Sequence, residues 1–267
     1  TSARKAYPVF DEPSCKQPWT VTLVIPAGMQ GVSNTREVSR KALADGWQQL
    51  RFATTENLPS YLVAFAVGPW EIVEAADIPP NAVRKTPLKL RGIAAKGQGA
   101  KMKYVLENTA AIVAAEEAYF GMPYPFDKLD LVAAPDFAAG AMENPGLIVY
   151  RDSVLFTNEQ SSVRERKYLW DAHTHELAHQ WFGDLVTMPW WDDVWLNESF
   201  ATWFADKIVG EVNPGLHPER AQVESGLRAM SGDSLATTRR IREPVNNFTD
   251  IESAFDGITY SKGGAVL

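Results

Sequence analysis

The chain is nearly devoid of cysteine. Its one thiol, Cys15, excludes an internal disulfide framework and leaves the redox compartment open. No basic cluster surrounds it, so it reads as a free or partly buried thiol rather than a nucleophile. No signal peptide and no apolar run long enough to cross a bilayer is present. Cations are in deficit: 26 Lys and Arg against 33 Asp and Glu leave a net charge of −7, which argues against nucleic acid and anionic membrane surfaces as main partners. Internal repeats and low-complexity segments are also missing. The start at Thr1-Ser2-Ala3-Arg4 has no initiator methionine and reads as a processed or excised segment, so the missing leader is uninformative about the gene product. The cytoplasm is favoured over the periplasm or secretion, and oligomeric state is left open. What is present is an ordinary globular composition, 45% apolar and 22% charged over 267 residues, enough for one large or two moderate domains.

Along the chain, residues 1–75 read as β structure. Thr20 to Pro26 alternates and is β-branched, and Leu50 to Thr55 and Tyr61 to Gly68 look like further strands between turn residues. Residues 76–87 turn to Pro, Asn and Ala, a boundary composition. Residues 88–267 form the second module. There, Leu88 to Ala95 is a strand candidate, Gly99 to Phe120 has helical spacing closed by Gly121, and Leu129 to Ala134 and Leu147 to Tyr150 look like strands. Pro218 to Met230 reads as helix. The fold class expected is α+β, a β module followed by a mixed module that becomes helical.

The chemistry is concentrated in His175, Glu176 and His179, an H-E-x-x-H run, with Glu198 following in Asn197-Glu198-Ser199. Positions i and i+4 stack on one helix face, so both imidazoles reach one metal, while Glu176 lies beside it, placed to act on a bound water. The sequence breaks at Met188-Pro189-Trp190-Trp191, and Asp192 and Asp193 suit the start of a second helix that carries Glu198. Three protein ligands leave the open fourth position that a catalytic zinc needs. A zinc-bound water has a pKa of roughly 7, and Glu176 can take its proton during attack on a carbonyl. H-E-x-x-H alone also fits a solvated surface helix. Leu177, Ala178, Trp181 and Phe182 instead make this helix apolar and buried, where a metal satisfies the histidines. His173 lies about 200° round the helix from His175 and cannot share that face. Structural or surface use fits it better. His217 falls in an exposed loop, and the tryptophans around Trp190, Trp191 and Trp195 read as core and scaffold.

Gly140-Ala141-Met142-Glu143-Asn144, standing before H-E-L-A-H-Q-W-F-G-D-L-V-T and W-W-D-D-V-W-L-N-E-S-F-A-T-W, extends the pattern beyond the metal ligands. These residues closely resemble the zinc aminopeptidases of the aminopeptidase N type, relatives of leukotriene hydrolase within the gluzincin group. The resemblance spans nearly the whole chain. It implies the end of an N-terminal, saddle-like β domain (1–75) followed by a thermolysin-like catalytic domain (88–267) that stops short at Leu267. It also implies one zinc per chain, held by His175, His179 and Glu198, and peptide substrates with a free N-terminus. Glu176 would be the general base, and Tyr260 would donate to the developing oxyanion. Glu143 would hold the substrate's α-amine, and Gly140 and Ala141 would let the peptide pair as an added strand, with Met142 and Asn144 completing the motif.

The chain departs from the family pattern in places. The carboxylate that orients a zinc histidine two turns past the third ligand is replaced by Ala205, with Asp206 beside it. The N-terminal-domain residue that shares the substrate amine would fall before Thr1, and the parts expected beyond Leu267 leave open whether the chain acts alone. Three other readings fit part of the pattern. A thermolysin-type endopeptidase would not need Glu143, an epoxide hydrolase would use the same zinc, and a non-catalytic receptor would be expected to lose Glu176 or a ligand.

Overall fold

A computed structural model describes residues 3–267; Thr1 and Ser2, at the head of the expected β module, lie outside the described residues. The chain is α+β, with β-rich structure first and helices dominating after residue 163. It groups into two units, one of Lys16–Leu58 with Leu62–Leu169, the other of the residues up to Cys15, Pro59–Tyr61 and Trp170–Leu267.

In the first unit the strands are β1 (Thr22–Pro26), β2 (Gln30–Ser33), β3 (Glu37–Ala42), β4 (Trp47–Phe52), β5 (Phe65–Gly68), β6 (Trp70–Glu74), β7 (Lys89–Ala95), β8 (Lys128–Ala134), β9 (Ala141–Met142) and β10 (Leu147–Arg151). β1, β4 and β3 form an antiparallel sheet in that order, and β2 pairs with β5. Period-2 alternation turns Ile25, Leu50 and Phe52 into a small core. The larger sheet runs β6-β7-β8-β10-β9. Its central pairs β7–β8 and β8–β10 are parallel, and its flanking pairs are antiparallel. A parallel pair needs a long crossover, and helix α1 (Lys103–Phe120) supplies it between β7 and β8. Gly121 ends that helix at φ 63°, the left-handed cap foreseen from its sequence. A short helix α2 (Asp152–Leu155) follows β10. Parallel central strands are buried on both faces, which accounts for the continuous burial of residues 128–133 in β8.

Tyr61 to Gly68 is not one strand. Ser60–Leu62 is a 3₁₀ turn and only Phe65–Gly68 pairs. The cause lies in tertiary bonding: the Leu62 carbonyl is taken by the Asn34 and Asn144 side-chain amides rather than by a neighbouring strand.

Helix α3 (Val163–His179) leads into the second unit, which holds α4 (Val194–Val212), α5 (Pro218–Asp233), α6 (Phe248–Ser253) and α7 (Gly263–Val266). α4 buries Ala201, Phe204, Ala205, Ile208 and Val209. Trp191 and Val194 pack with Val245, Tyr61 and Met188, so Trp191 is core as expected, and its ring lies 5.1 Å from Tyr61. Asp192 and Asp193 do precede α4, yet neither caps it. Their carboxylates are engaged elsewhere, Asp192 accepting from the Val245 amide at 2.6 Å and Asp193 from Arg242 at 2.7 Å. Tertiary partners outcompete the local cap. No helix among the described residues is long and apolar enough to cross a membrane.

Candidate metal centre

α3 and α4 bring His175, His179 and Glu198 together within the second unit. The donor atoms are close: His175 Nε2 to His179 Nε2 is 3.0 Å, His175 Nε2 to Glu198 Oε2 is 3.1 Å, and His179 Nε2 to Glu198 Oε2 is 3.5 Å. A tetrahedral ion bound at about 2.0 to 2.1 Å separates its donors by roughly 3.3 to 3.4 Å, so the triangle fits one such ion. Its chemistry, two imidazoles and a carboxylate, is that of catalytic rather than structural sites.

The charge state of the donors suits a cation. Burial pushes the His175 pKa down, the neighbouring His179 pushes the same way, and Glu198 opposes without reversing it, so the ring stays neutral. Burial pushes the Glu198 carboxyl up, but its contacts with His175 and His179 outweigh this and hold the group well below the usual carboxylate range. Glu198 is therefore an anion. His173, two residues from His175, is buried rather than on the surface, and burial alone takes its pKa down to about 3. It is a neutral structural residue.

The orientation of the rings comes from groups the sequence reading did not single out. His179 Nδ1 lies 3.1 Å from the Phe182 carbonyl, which accepts its hydrogen bond and leaves the Nε2 lone pair free to face a cation. That carbonyl faces back because the chain turns sharply after α3, at Gly183 with φ 137°. His175 Nδ1 lies 3.4 Å from Thr202 Oγ1. Thr202 is one helical turn past Glu198, on the same face of α4, whereas Ala205 is buried and offers no polar group. Thr202 thus places a hydroxyl beside the His175 nitrogen that faces away from the cluster.

Glu176, next to His175, is buried. Tyr260 stands with its ring 6.1 Å from that of His175. It sits in a π-helical turn, Ile258–Lys262, of the kind often found at functional sites. Several bonds hold the turn: Ser199 Oγ donates to the Thr259 carbonyl at 2.5 Å, Asp256 accepts from the Ile258 and Thr259 amides, and Arg239 donates to both Asp256 and Thr259. Ser199 follows Glu198 directly, so Glu198 and the turn that carries Tyr260 are joined through one hydroxyl.

Gly140 to Asn144 belong to the other unit. Ala141 and Met142 form β9, an edge strand paired only with β10 among the described residues. The Gly140 carbonyl accepts from the Arg151 amide and extends that pairing by one rung. Glu143 and Asn144 are buried immediately after it. His217 is exposed, as expected for its loop, and bonds Glu219.

An H-E-x-x-H helix and a second helix carrying a carboxylate define a metal-dependent hydrolase type of centre. Comparison with known proteins makes the family definite. The Peptidase family M1 domain matches residues 104–267, and the Peptidase M1 N-terminal domain matches residues 1–62. The chain belongs to peptidase family M1. It is 38% identical over its whole length to the mitochondrial aminopeptidase 2 of Saccharomyces cerevisiae, covering 27% of that protein. It is 37% identical over 99% of its length to aminopeptidase N of Haemonchus contortus and 38% identical over 99% to aminopeptidase Ey of Gallus gallus, covering 27% and 28% of them. The chain thus spans less than a third of the length of these relatives. The family implies a metal, and the His175, His179 and Glu198 cluster is where it fits.

Proposed function

We propose that this chain carries the zinc centre of an aminopeptidase, hydrolysing the first peptide bond of peptides with a free N-terminus. The observation that carries the reading is the donor triangle of His175, His179 and Glu198, with edges of 3.0 to 3.5 Å, in a member of peptidase family M1. Residues 1–75 would be the end of the N-terminal β domain and 88–267 part of the catalytic domain, a division supported by the two family matches.

Zinc, held there, would supply Lewis acidity, lowering the pKa of a bound water to roughly 7 and polarising the scissile carbonyl. Glu176 accepts the proton of the attacking water and passes it to the departing amine nitrogen as the C–N bond breaks. Its burial next to His175 supports that role. Tyr260 donates its hydroxyl proton in a hydrogen bond to the developing oxyanion, supported by its approach to the His175 ring. Glu143 takes the substrate ammonium, and β9 offers an open edge along which an extended peptide adds as a strand. Glu143 owes its assignment to the G-A-M-E-N motif and to its burial, which makes a charge-assisted bond strong.

The test is a panel of aminoacyl and N-acetylaminoacyl reporters given to the whole protein with and without chelator, beside the Glu176→Gln variant. The reading expects chelator-sensitive turnover of free-amine reporters only. Glu176→Gln should keep the metal and lose about two to four orders of magnitude in kcat. Retained turnover by that variant would remove Glu176 from the mechanism.

A further inference from the structure

We propose that Asn34 and Lys128 are positioning residues for Glu143, acting through the turn that follows it; the inference rests on the reading of Glu143 as the amine anchor. Asn144 to Leu147 form a type II turn. The Leu147 amide donates to the Asn144 carbonyl at 3.0 Å, Pro145 takes the second place, and Gly146 the third at φ 68°. Glu143 is the residue before it, so the turn fixes where its backbone leaves β9.

Each of the three residues after Glu143 is fastened by a buried polar group. Asn144 Nδ2 donates to the Leu62 carbonyl at 3.2 Å. The Pro145 carbonyl accepts from Asn34 Nδ2 at 3.0 Å, and the Gly146 carbonyl accepts from Lys128 Nζ at 2.6 Å and from the Asp130 amide at 3.1 Å. Asn34 is fully used, since Nδ2 also donates to the Leu62 carbonyl at 3.0 Å and Oδ1 accepts from the Ala64 amide at 2.8 Å. A side chain at Gly146 would run into the Asn34 carbonyl, so the turn has no room to slide. Upstream, the Arg151 guanidinium holds the Phe137 and Ala138 carbonyls. Glu143 is therefore bracketed by fixed points on both sides.

Lys128 shows that this is more than ordinary turn bonding. Its side chain is 3% exposed and its ammonium stands 2.8 Å from Asp130, which in turn receives both Nε and Nη2 of Arg91 at 2.8 and 2.6 Å. An apolar side chain would fill the same volume without burying a cation. What an ammonium adds is a short charge-assisted bond to one carbonyl three residues from Glu143. A carboxylate that must meet an ammonium in a dry site gains affinity only if it is held in place beforehand.

The experiment measures calorimetric Kd values of the metal-loaded whole protein for leucine hydroxamate and for its counterpart lacking the amine, 4-methylpentanohydroxamate. Both bind a metal, and only the first offers an amine, so the ratio of the two Kd values isolates the anchor. Glu143→Ala, Asn34→Ala and Lys128→Met are compared, with metal content and thermal midpoint recorded. Asn34→Asp, of equal size but without the amide donor, replaces any variant that does not fold. The proposal expects Asn34→Ala and Lys128→Met to weaken the amine-bearing hydroxamate by roughly tenfold and leave the other unchanged, because small displacements of a positioning group are costly. Equal losses for both ligands, or no loss, while Glu143→Ala remains selective, would overturn the role of Asn34 and Lys128 alone. A Glu143→Ala variant without selectivity would instead overturn the anchor reading beneath it.

Discussion

Gly183→Ala perturbs the candidate metal centre without replacing any of its three donors. Gly183 sits at φ 137°, where a side chain strains the backbone by about 1 to 3 kcal/mol. A Cβ there would collide with Asn197 Oδ1 and stand 3.1 Å from His179 Nδ1. Two consequences separate. The strain lowers stability whether or not metal is bound. The collision pushes on Asn197, the neighbour of Glu198, and crowds the bond from His179 Nδ1 to the Phe182 carbonyl. Loss of such an orienting bond commonly weakens metal binding by 10- to 100-fold, or about 1.4 to 2.7 kcal/mol. The assay is competition against a chromophoric chelator on the folded protein, beside the thermal midpoint of the metal-free form. Both quantities should fall. If the metal-free midpoint drops while zinc affinity stays within twofold of the parent, the orienting role of the turn after α3 is refuted.

Tyr260→Phe should lower kcat by about two to three orders of magnitude with KM and zinc content nearly unchanged, as for a lost oxyanion donor; steady-state kinetics checks it. The Asp130 carboxyl is pushed up by burial, but the Lys128 charge and the Arg91 hydrogen bonds outweigh this and hold its pKa low. A carboxyl with a depressed native pKa binds fewer protons folded than unfolded, so its stability is present above about pH 4 and is lost as pH falls through the native pKa. Asp130→Asn should therefore cost about 3 to 5 kcal/mol at pH 7, by leaving Lys128 without its charge partner, and should flatten the acid side of the stability curve; denaturant melts from pH 2 to 7 would show both.

The candidate metal cluster was legible because helical geometry converts a spacing of four residues into a shared face, and the apolar flanks of His175 and His179 marked a buried helix. Helix α1 and its Gly121 cap were legible for the same local reasons. Other features depend on the folded chain. A backbone carbonyl such as that of Phe182 has no sequence signature, and its approach to His179 follows from the reversal at Gly183. Thr202 lies one helical turn from Glu198, a spacing legible in the sequence, but its hydroxyl is marked by no motif. Asp192 and Asp193 show the converse, good capping residues whose carboxylates found tertiary partners. β3 escaped notice because all six of its residues are exposed, leaving no alternation to detect. The Pro145-Gly146 pair signalled a turn, yet its anchoring by Asn34, 111 positions from Pro145 in sequence, is a property of the fold.

The central claim is that two imidazoles and one carboxylate share a single ion. X-ray absorption at the zinc edge tests it directly on the zinc-loaded protein. The account predicts a first shell of two imidazole nitrogens with the remaining donors oxygen, all at about 2.0 to 2.2 Å, and loss of one imidazole in His179→Ala. A shell containing sulfur, or one unchanged by His179→Ala, would contradict it.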